Sequence, residues 1–243
     1  MKKLIAVNVI TVFIFSAPAV LATDQNSTNS GSFEGLSLGL NLGAAIHNDN
    51  ANSNDQFLQD NGTYALSDTN IAEGVQFGYD WEIPHSVFGV IGEWAWTGLN
   101  SLRVDEPYDP NDSYFVQSDL KWFATIRGRL GLRVDYILIY LSSGPAVALI
   151  ENKWHDGSDT ITFTKAHWGW IGSVGTELKI FEKISIGGEL YHMQFADKEI
   201  GPYANTDPPD PPEGVSFGHN NAVWGTRLII NYRFGTLDEL FPS

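Results

Sequence analysis

The chain has 243 residues, no cysteine and a formal net charge of −15. The missing thiols exclude disulfides, thiolate metal sites and cysteine nucleophiles, and so acidic a balance argues against nucleic acid as a partner. Aromatics at 13% and charged residues at only 18% do not describe a disordered chain.

Residues 1–22 have the form of a secretory signal: Lys2 and Lys3, an apolar run Leu4–Phe15, and Val20-Leu21-Ala22 before a cleavage point at Thr23. The run is short for a spanning helix, and no other segment approaches ~20 apolar residues. Cleavage would leave 221 residues at −17, enough for one large β domain. Residues 23–32 are a polar, small-residue leader, expected to be flexible.

From residue 33 the pattern turns to period two, the mark of a strand between two environments. In 33–46, Leu36, Leu38, Leu40 and Leu42 oppose Ser37, Gly39, Asn41 and Gly43. Residues 47–69 are polar and acidic and predict a loop. In 70–83, Val75, Phe77, Tyr79 and Trp81 oppose Gly74, Gln76, Gly78 and Asp80, and Pro84-His85 predicts a tight turn. In 86–101, Phe88, Val90, Trp94 and Trp96 oppose Gly89, Ile91, Glu93 and Ala95. A proline-bearing loop is expected over 102–116.

The clearest strand is Trp122–Val134. Ala124, Ile126, Leu130 and Leu132 share an uncharged face with Trp122, while Arg127, Arg129 and Arg133 lie on the other. Asp135 alone separates it from 136–152, whose Pro145 removes a ladder donor and predicts a bulge. Residues 153–164 predict a loop. In 165–181, Trp168, Trp170, Val174 and Leu178 oppose Gly169, Ser173, Gly175 and Glu177, and Glu182-Lys183 is expected to turn the chain. In 184–198, Ser185, Gly187, Glu189 and Tyr191 oppose Ile184, Ile186 and Leu190. After a loop over 199–220 with five prolines, 221–234 sets Trp224, Leu228, Ile230, Tyr232 and Phe234 against Gly225, Arg227, Asn231 and Arg233.

Eight strands joined alternately by long loops and tight turns predict an all-β fold, an eight-stranded antiparallel up-and-down transmembrane β-barrel. Thirteen alternating residues exceed the about 9–11 that cross a bilayer at a tilt. Aromatics form two belts. Trp81, Tyr232 and Phe234 lie near the tight turns, and Trp94, Trp96, Trp122, Trp168, Trp170 and Trp224 near the long loops. A soluble up-and-down barrel alternates too, but its polar face should be rich in lysine and glutamate; here that face is rich in glycine and serine.

These residues point to three chemistries. By parity Asp80, Glu93, Glu177, Glu189, Arg127, Arg129 and Arg227 face the lumen, within one layer. Arginine forks matched to carboxylates predict a sealed, hydrogen-bonded plug; the alternative is a low-conductance pore for ions or small solutes. A lipid-modifying enzyme is the third reading, with His167 as general base and Ser142, Ser143 or Ser173 nearby, although no nucleophile, base and acid assemble from spacing alone. Formal charges sum to −4 over 47–69, −3 over 102–116, zero over 153–165 and −4 over 197–221. Their acids, such as Asp105, Glu106, Asp109 and Asp112, lack EF-hand spacing and are expected to form a solvated exterior rather than a Ca²⁺ site. No cofactor or metal is implied.

The segments Trp122–Gly131, Gly74–Trp81 and Ile230–Phe234 resemble the small outer-membrane β-barrels of Gram-negative bacteria, the OmpA/OmpX-like "porin family" and immunogenic surface proteins. The resemblance covers residues 33–234. It implies a monomer in the bacterial outer membrane, with long loops extracellular and tight turns periplasmic. The implied partners are outer-membrane lipid and lipopolysaccharide, the barrel-assembly machinery, and an extracellular ligand met by the acidic loops in adhesion or defence. In that family a terminal Phe is read during assembly; Phe234 matches it, but a short extension, 235–243, follows.

Overall fold

A computed structural model describes residues 31–53, 63–105, 114–156, 159–196, 198–200 and 217–236. The expected signal, most of the leader, most of the C-terminal extension and the acids 106–112 lie outside these residues. The strands are β1 (Gly35–Ser53), β2 (Thr63–Ile83), β3 (Ser86–Asp105), β4 (Tyr114–Val134), β5 (Ile137–Asp156), β6 (Asp159–Lys179), β7 (Ile184–Phe195), β8 (Lys198–Ile200) and β9 (Phe217–Gly235).

Each strand pairs antiparallel with the next, and β1 pairs with β9 to close the ring. The three-residue β8 continues the line of β7 along β9, so nine strands make an eight-stave barrel, as the periodicity predicts. Between the aromatic belts closure leaves no strand edge among the described residues, which a bilayer requires because lipid offers backbone groups no hydrogen-bond partner.

The wall also resolves which face is which. Leu40 is 65% exposed, Leu130 66% and Leu141 64%, while Asp80, Glu93 and Arg127 on the opposite parity are buried. A soluble barrel would place these faces the other way round. The apolar face is the lipid face.

The tight turns differ in detail from their expected forms. Pro84-His85 turns as expected, with His85 at φ 65°. The next turn is Asp135-Tyr136 rather than Asp135 alone, with Asp135 at φ 53°. A short polar side chain tolerates that left-handed conformation. The third turn spans 180–183 instead of two residues, because the Ile180 and Phe181 amides both donate to the Ile184 carbonyl, at 3.0 and 3.1 Å.

The expected loops are much shorter than their polar sequences suggest. Paired backbone runs to Asn52↔Thr63, Asp105↔Tyr114 and Asp156↔Asp159. Of the expected loop 153–164, all but 157–158 is strand. Above the outer aromatic belt the wall also divides. The β2–β3 ladder stops at Ala72↔Thr97 and the β6–β7 ladder at Gly169↔Phe195. Among the described residues this leaves two blades, β9–β1–β2 and β3–β4–β5–β6.

Pro145 makes no bulge. Thr125↔Ala146 and Gly128↔Ser143 keep the same register on either side of it, and Pro145 pairs with Trp170 on β6 without a shift. Its missing donor faces β4, where the ladder skips Ile126 and Arg127 opposite Gly144 and Pro145. The bulge falls at Lys121 instead, the extra residue of β4 against β5; against β3 the register shifts at the same place, with Thr97 and Gly98 facing Lys121. One extra residue reverses parity, so Leu120 and Ser118 turn inward above it.

The lipid-face assignment predicts that Leu40→Arg, midway along β1 between Val75 and Ile230, will destabilise the barrel by about 2–4 kcal/mol. Equilibrium refolding into phospholipid vesicles measures this; an unchanged midpoint would contradict the assignment.

Candidate functional site

The lumen is built from the inward residues of all eight staves, and its periplasmic half is charged. Asp80, Glu93, Arg127, Arg129, Glu177, Glu189 and Arg227 all lie there, each at most 5% exposed. They do not share one layer. They form two rings at different heights, and an eighth charge, Arg233, completes the lower one.

In the lower ring Arg129 and Arg233 each bridge the same two carboxylates. Arg129 donates through Nε to Asp80 Oδ1 at 3.0 Å, through Nη2 to Asp80 Oδ2, and through Nη1 to Glu177 Oε2 at 2.9 Å. Arg233 donates to Asp80 Oδ2 and Glu177 Oε1, both at 2.9 Å. Ser185 adds a 2.5 Å bond to Glu177.

The upper ring repeats the plan. Arg127 Nη1 donates to Glu189 Oε1 at 2.8 Å, and its Nη2 lies 3.3 Å from Glu93 Oε2. Arg227 bridges the same Glu93 and Glu189. Asn41 and Thr125 also donate to Glu93, at 3.1 and 3.2 Å. Ser142 and Ser173, 2.6 Å apart, accept from Arg127.

Each ring holds two arginines and two carboxylates, and so is neutral. The alternating square suits the chemistry: a guanidinium is a fork with several donors, and a carboxylate accepts at two oxygens. Tyr140 joins the rings. Its hydroxyl donates to Glu189 at 2.9 Å, while its ring lies 5.1 Å from the Arg129 guanidinium. Tyr191 packs likewise 4.9 Å from Arg227. Both rings lie flat on the wall because Gly175 and Gly225 stand beneath them, where any β-carbon would overlap the phenol.

The outer half of the lumen is largely apolar, where a polar lumen was expected. Leu99, Leu120, Phe123, Ile150, Ile171, Met193 and Phe195 form a closely packed core there. Towards the long-loop end His47 Nε2 lies 2.8 Å from Asn221 Oδ1, and His167 is buried. Their level is far from the serines. Ser142 and Ala148, the β5 partner of His167, are six residues apart on one strand, roughly 20 Å. Ser143 faces outward and donates to the Ile171 carbonyl at 2.8 Å. No base-to-nucleophile contact forms from the histidine and serines singled out in the sequence.

On the outer wall above the belt, Lys121 and Lys153 meet Asp119 and Glu151 across β4 and β5 at 3.1–3.6 Å. Hydrogen bonds from Lys153 and then Lys121 hold the Glu151 carboxyl below its ordinary range. Burial alone would lower the Lys121 pKa, but its bonds to Asp119 and Glu151 outweigh this and raise it.

The girdle residues point outward. Near the tight turns Trp81 stacks on Phe88 at 5.4 Å and Tyr232 meets Phe234 edge-on at 5.0 Å. Near the long loops Trp94 stacks on Trp122 at 4.3 Å, and Trp96, Trp168, Trp170 and Trp224 are exposed beside them. The place of Arg233 in a ring, the role of Tyr140 and the apolar outer core were missed by the sequence reading, although Phe123, Ile171, Met193 and Phe195 all fall on the inward parity.

Closed ring, apolar exterior and aromatic belts together define an eight-stranded outer-membrane β-barrel protein, located in the bacterial outer membrane. Its relatives agree. Over 90% of its length the chain is 23% identical to the 31 kDa outer-membrane immunogenic protein of Brucella melitensis biotype 1, covering 89% of that protein. It is 25% identical to the 22 kDa outer membrane protein of Rhizobium leguminosarum bv. viciae, over 70% of this chain and 68% of that one. Among solved structures, the outer membrane protein OprG of Pseudomonas aeruginosa shares the fold, with a TM-score of 0.57 and 13% identity over 85% of this chain and 99% of OprG. No family model matches the sequence.

Ring neutrality predicts strong non-additivity. Glu189→Leu leaves Arg127 and Arg227 with excess positive charge and should cost about 3–5 kcal/mol. Adding Arg227→Leu to that variant removes the excess and should restore part of the loss. A double-mutant cycle in refolding titrations reads this; additive losses would show that the rings do not act as units.

Proposed function

We propose that the protein is a structural, surface-displaying barrel whose lumen is sealed, inserted by the barrel-assembly machinery as a monomer and surrounded by outer-membrane lipid and lipopolysaccharide. The observation that carries this reading is the pair of neutral rings. An eight-stranded interior is only about wide enough for side chains, and here each arginine and carboxylate of the two rings is committed to partners across the lumen. A conducting path would have to break several charge-assisted hydrogen bonds, and the apolar core above adds a second barrier that offers an ion no charged partner.

The surface role rests on the other end of the molecule. The strands run well past the outer belt; β3 continues nine residues beyond Trp96, to Asp105, roughly 30 Å along the strand. A rigid wall carrying such blades outward is suited to contact with other molecules, in adhesion or defence. The Brucella relative is named for its immunogenicity, which fits display at the cell surface.

Refolded protein in a planar bilayer should show no persistent conductance, with folding verified by β-rich circular dichroism. Steady conductance whose selectivity changes in Glu93→Gln or Arg127→Gln would replace this reading with that of an ion-selective pore. For the surface role, removing residues 201–214 should reduce attachment of expressing cells to matrix or host cells, and unchanged attachment would count against it.

A further inference from the structure

The periplasmic mouth holds a feature that neither the rings nor the surface role requires. Phe33 precedes β1, yet its side chain is wholly buried inside the barrel with Val87, Leu138 and Tyr140. Its ring lies 5.2 Å from the Arg233 guanidinium and 5.9 Å from Lys179 Nζ, within cation–π range.

The backbone around it is held as firmly. The Phe33 amide donates to Glu82 Oε2 at 2.7 Å, and the Ser32 hydroxyl donates to the same oxygen at 3.0 Å. Arg233 donates to the Phe33 carbonyl and Lys179 to the Ser32 carbonyl. Glu82 is anchored in turn by Arg133. The groups come from β2, β3, β5, β6 and β9, so they surround the opening. Gly35 makes the entry feasible: at φ 115° it swings the chain from the mouth into β1, and a β-carbon there would overlap the Gly235 carbonyl.

We propose that residues 31–34 are a stopper at the periplasmic end of the lumen, an extended segment of the chain seated in the mouth by its main chain and its one aromatic side chain. Most of the polar contacts hold main-chain amide and carbonyl groups, and the aromatic ring fills an apolar cup rimmed with cations. The stopper deepens the sealed-lumen reading but does not depend on it, because Val87 lies on the periplasmic side of both rings.

The natural absence of cysteine gives a clean test. In the full chain refolded into lipid, Val87→Cys should react slowly with a hydrophilic maleimide. Adding Phe33→Ala should speed the reaction by about tenfold or more, since the buried ring no longer holds the segment in place. Glu82→Ala, which cuts the backbone latch and leaves the ring intact, should also speed it. A second reporter, Ala148→Cys in the outer core, should keep its rate in both backgrounds. Fast labelling of Val87→Cys with Phe33 present, continued protection with Phe33→Ala, or equal acceleration at both reporters would overturn the stopper. Conductance through the rings would leave the labelling result intact and would count only against the sealed lumen.

Discussion

The structure depends on charge balance inside a lumen of fixed width. Eight tilted staves enclose a space that side chains fill, and β2, β3, β4, β6, β7 and β9 each send charged residues into it. An arginine there loses its water, a loss that only carboxylates in good geometry repay. Four isolated pairs would meet the net count, yet each would leave donors or acceptors idle. Sharing two carboxylates between two arginines lets each guanidinium reach two acids and brings both oxygens of Asp80, Glu93 and Glu177 to arginine. Glu189 gives one oxygen to both arginines and the other to Tyr140. Neutrality is therefore reached at each height separately. The strong negative charge of the chain lies elsewhere, largely in the acidic segments at the long-loop end.

The two halves of the lumen are closed by different physics. The periplasmic half relies on directional, charge-assisted bonds, which fix the staves' relative positions as well as filling space. The outer half relies on packing of Leu, Ile, Phe and Met, as in a soluble core. Tyr191 marks the transition, while Tyr140 joins the two rings below it; each offers a hydrophobic body and a polar tip. Their seats at Gly175 and Gly225 tie the glycine content of the inward face to packing rather than to flexibility.

The membrane portion was legible in the sequence because each strand there separates lipid from a differently built interior, and period two records that contrast. Beyond the outer belt both faces meet similar surroundings, so the alternation disappears while the pairing continues. That is why 63–69, 102–105 and 159–164 read as loop and are strand. The Lys121 bulge was hidden for a related reason: it shifts parity by one where Gln117–Lys121 mixes polar and apolar residues, and no hydrophobic phase survives to show the slip. Arg233 was visible on the inward face of β9, but its ring partners lie on β2 and β6, and only the closed register brings them together. Phe33 was misread because an apolar residue before an alternating run looks like the run's first member; sequence does not record that Gly35 bends the chain at that point.

These differences share a direction. The parts that hold the barrel shut lie between the aromatic belts and below them, where register, charge and packing constrain nearly every inward residue. Above the outer belt the blades are held by backbone pairing and by local contacts, such as Asn100 N–H to Asp68 at 2.8 Å and the Asn70 amide to the Gly98 carbonyl at 2.6 Å. Backbone pairing places few demands on side-chain identity. The external segments are thus free to take up acidic, proline-rich sequences without disturbing the rings. A barrel organised in this way divides its constraints by height: side-chain chemistry fills the lumen between the belts, and backbone pairing with local contacts carries the projecting ends.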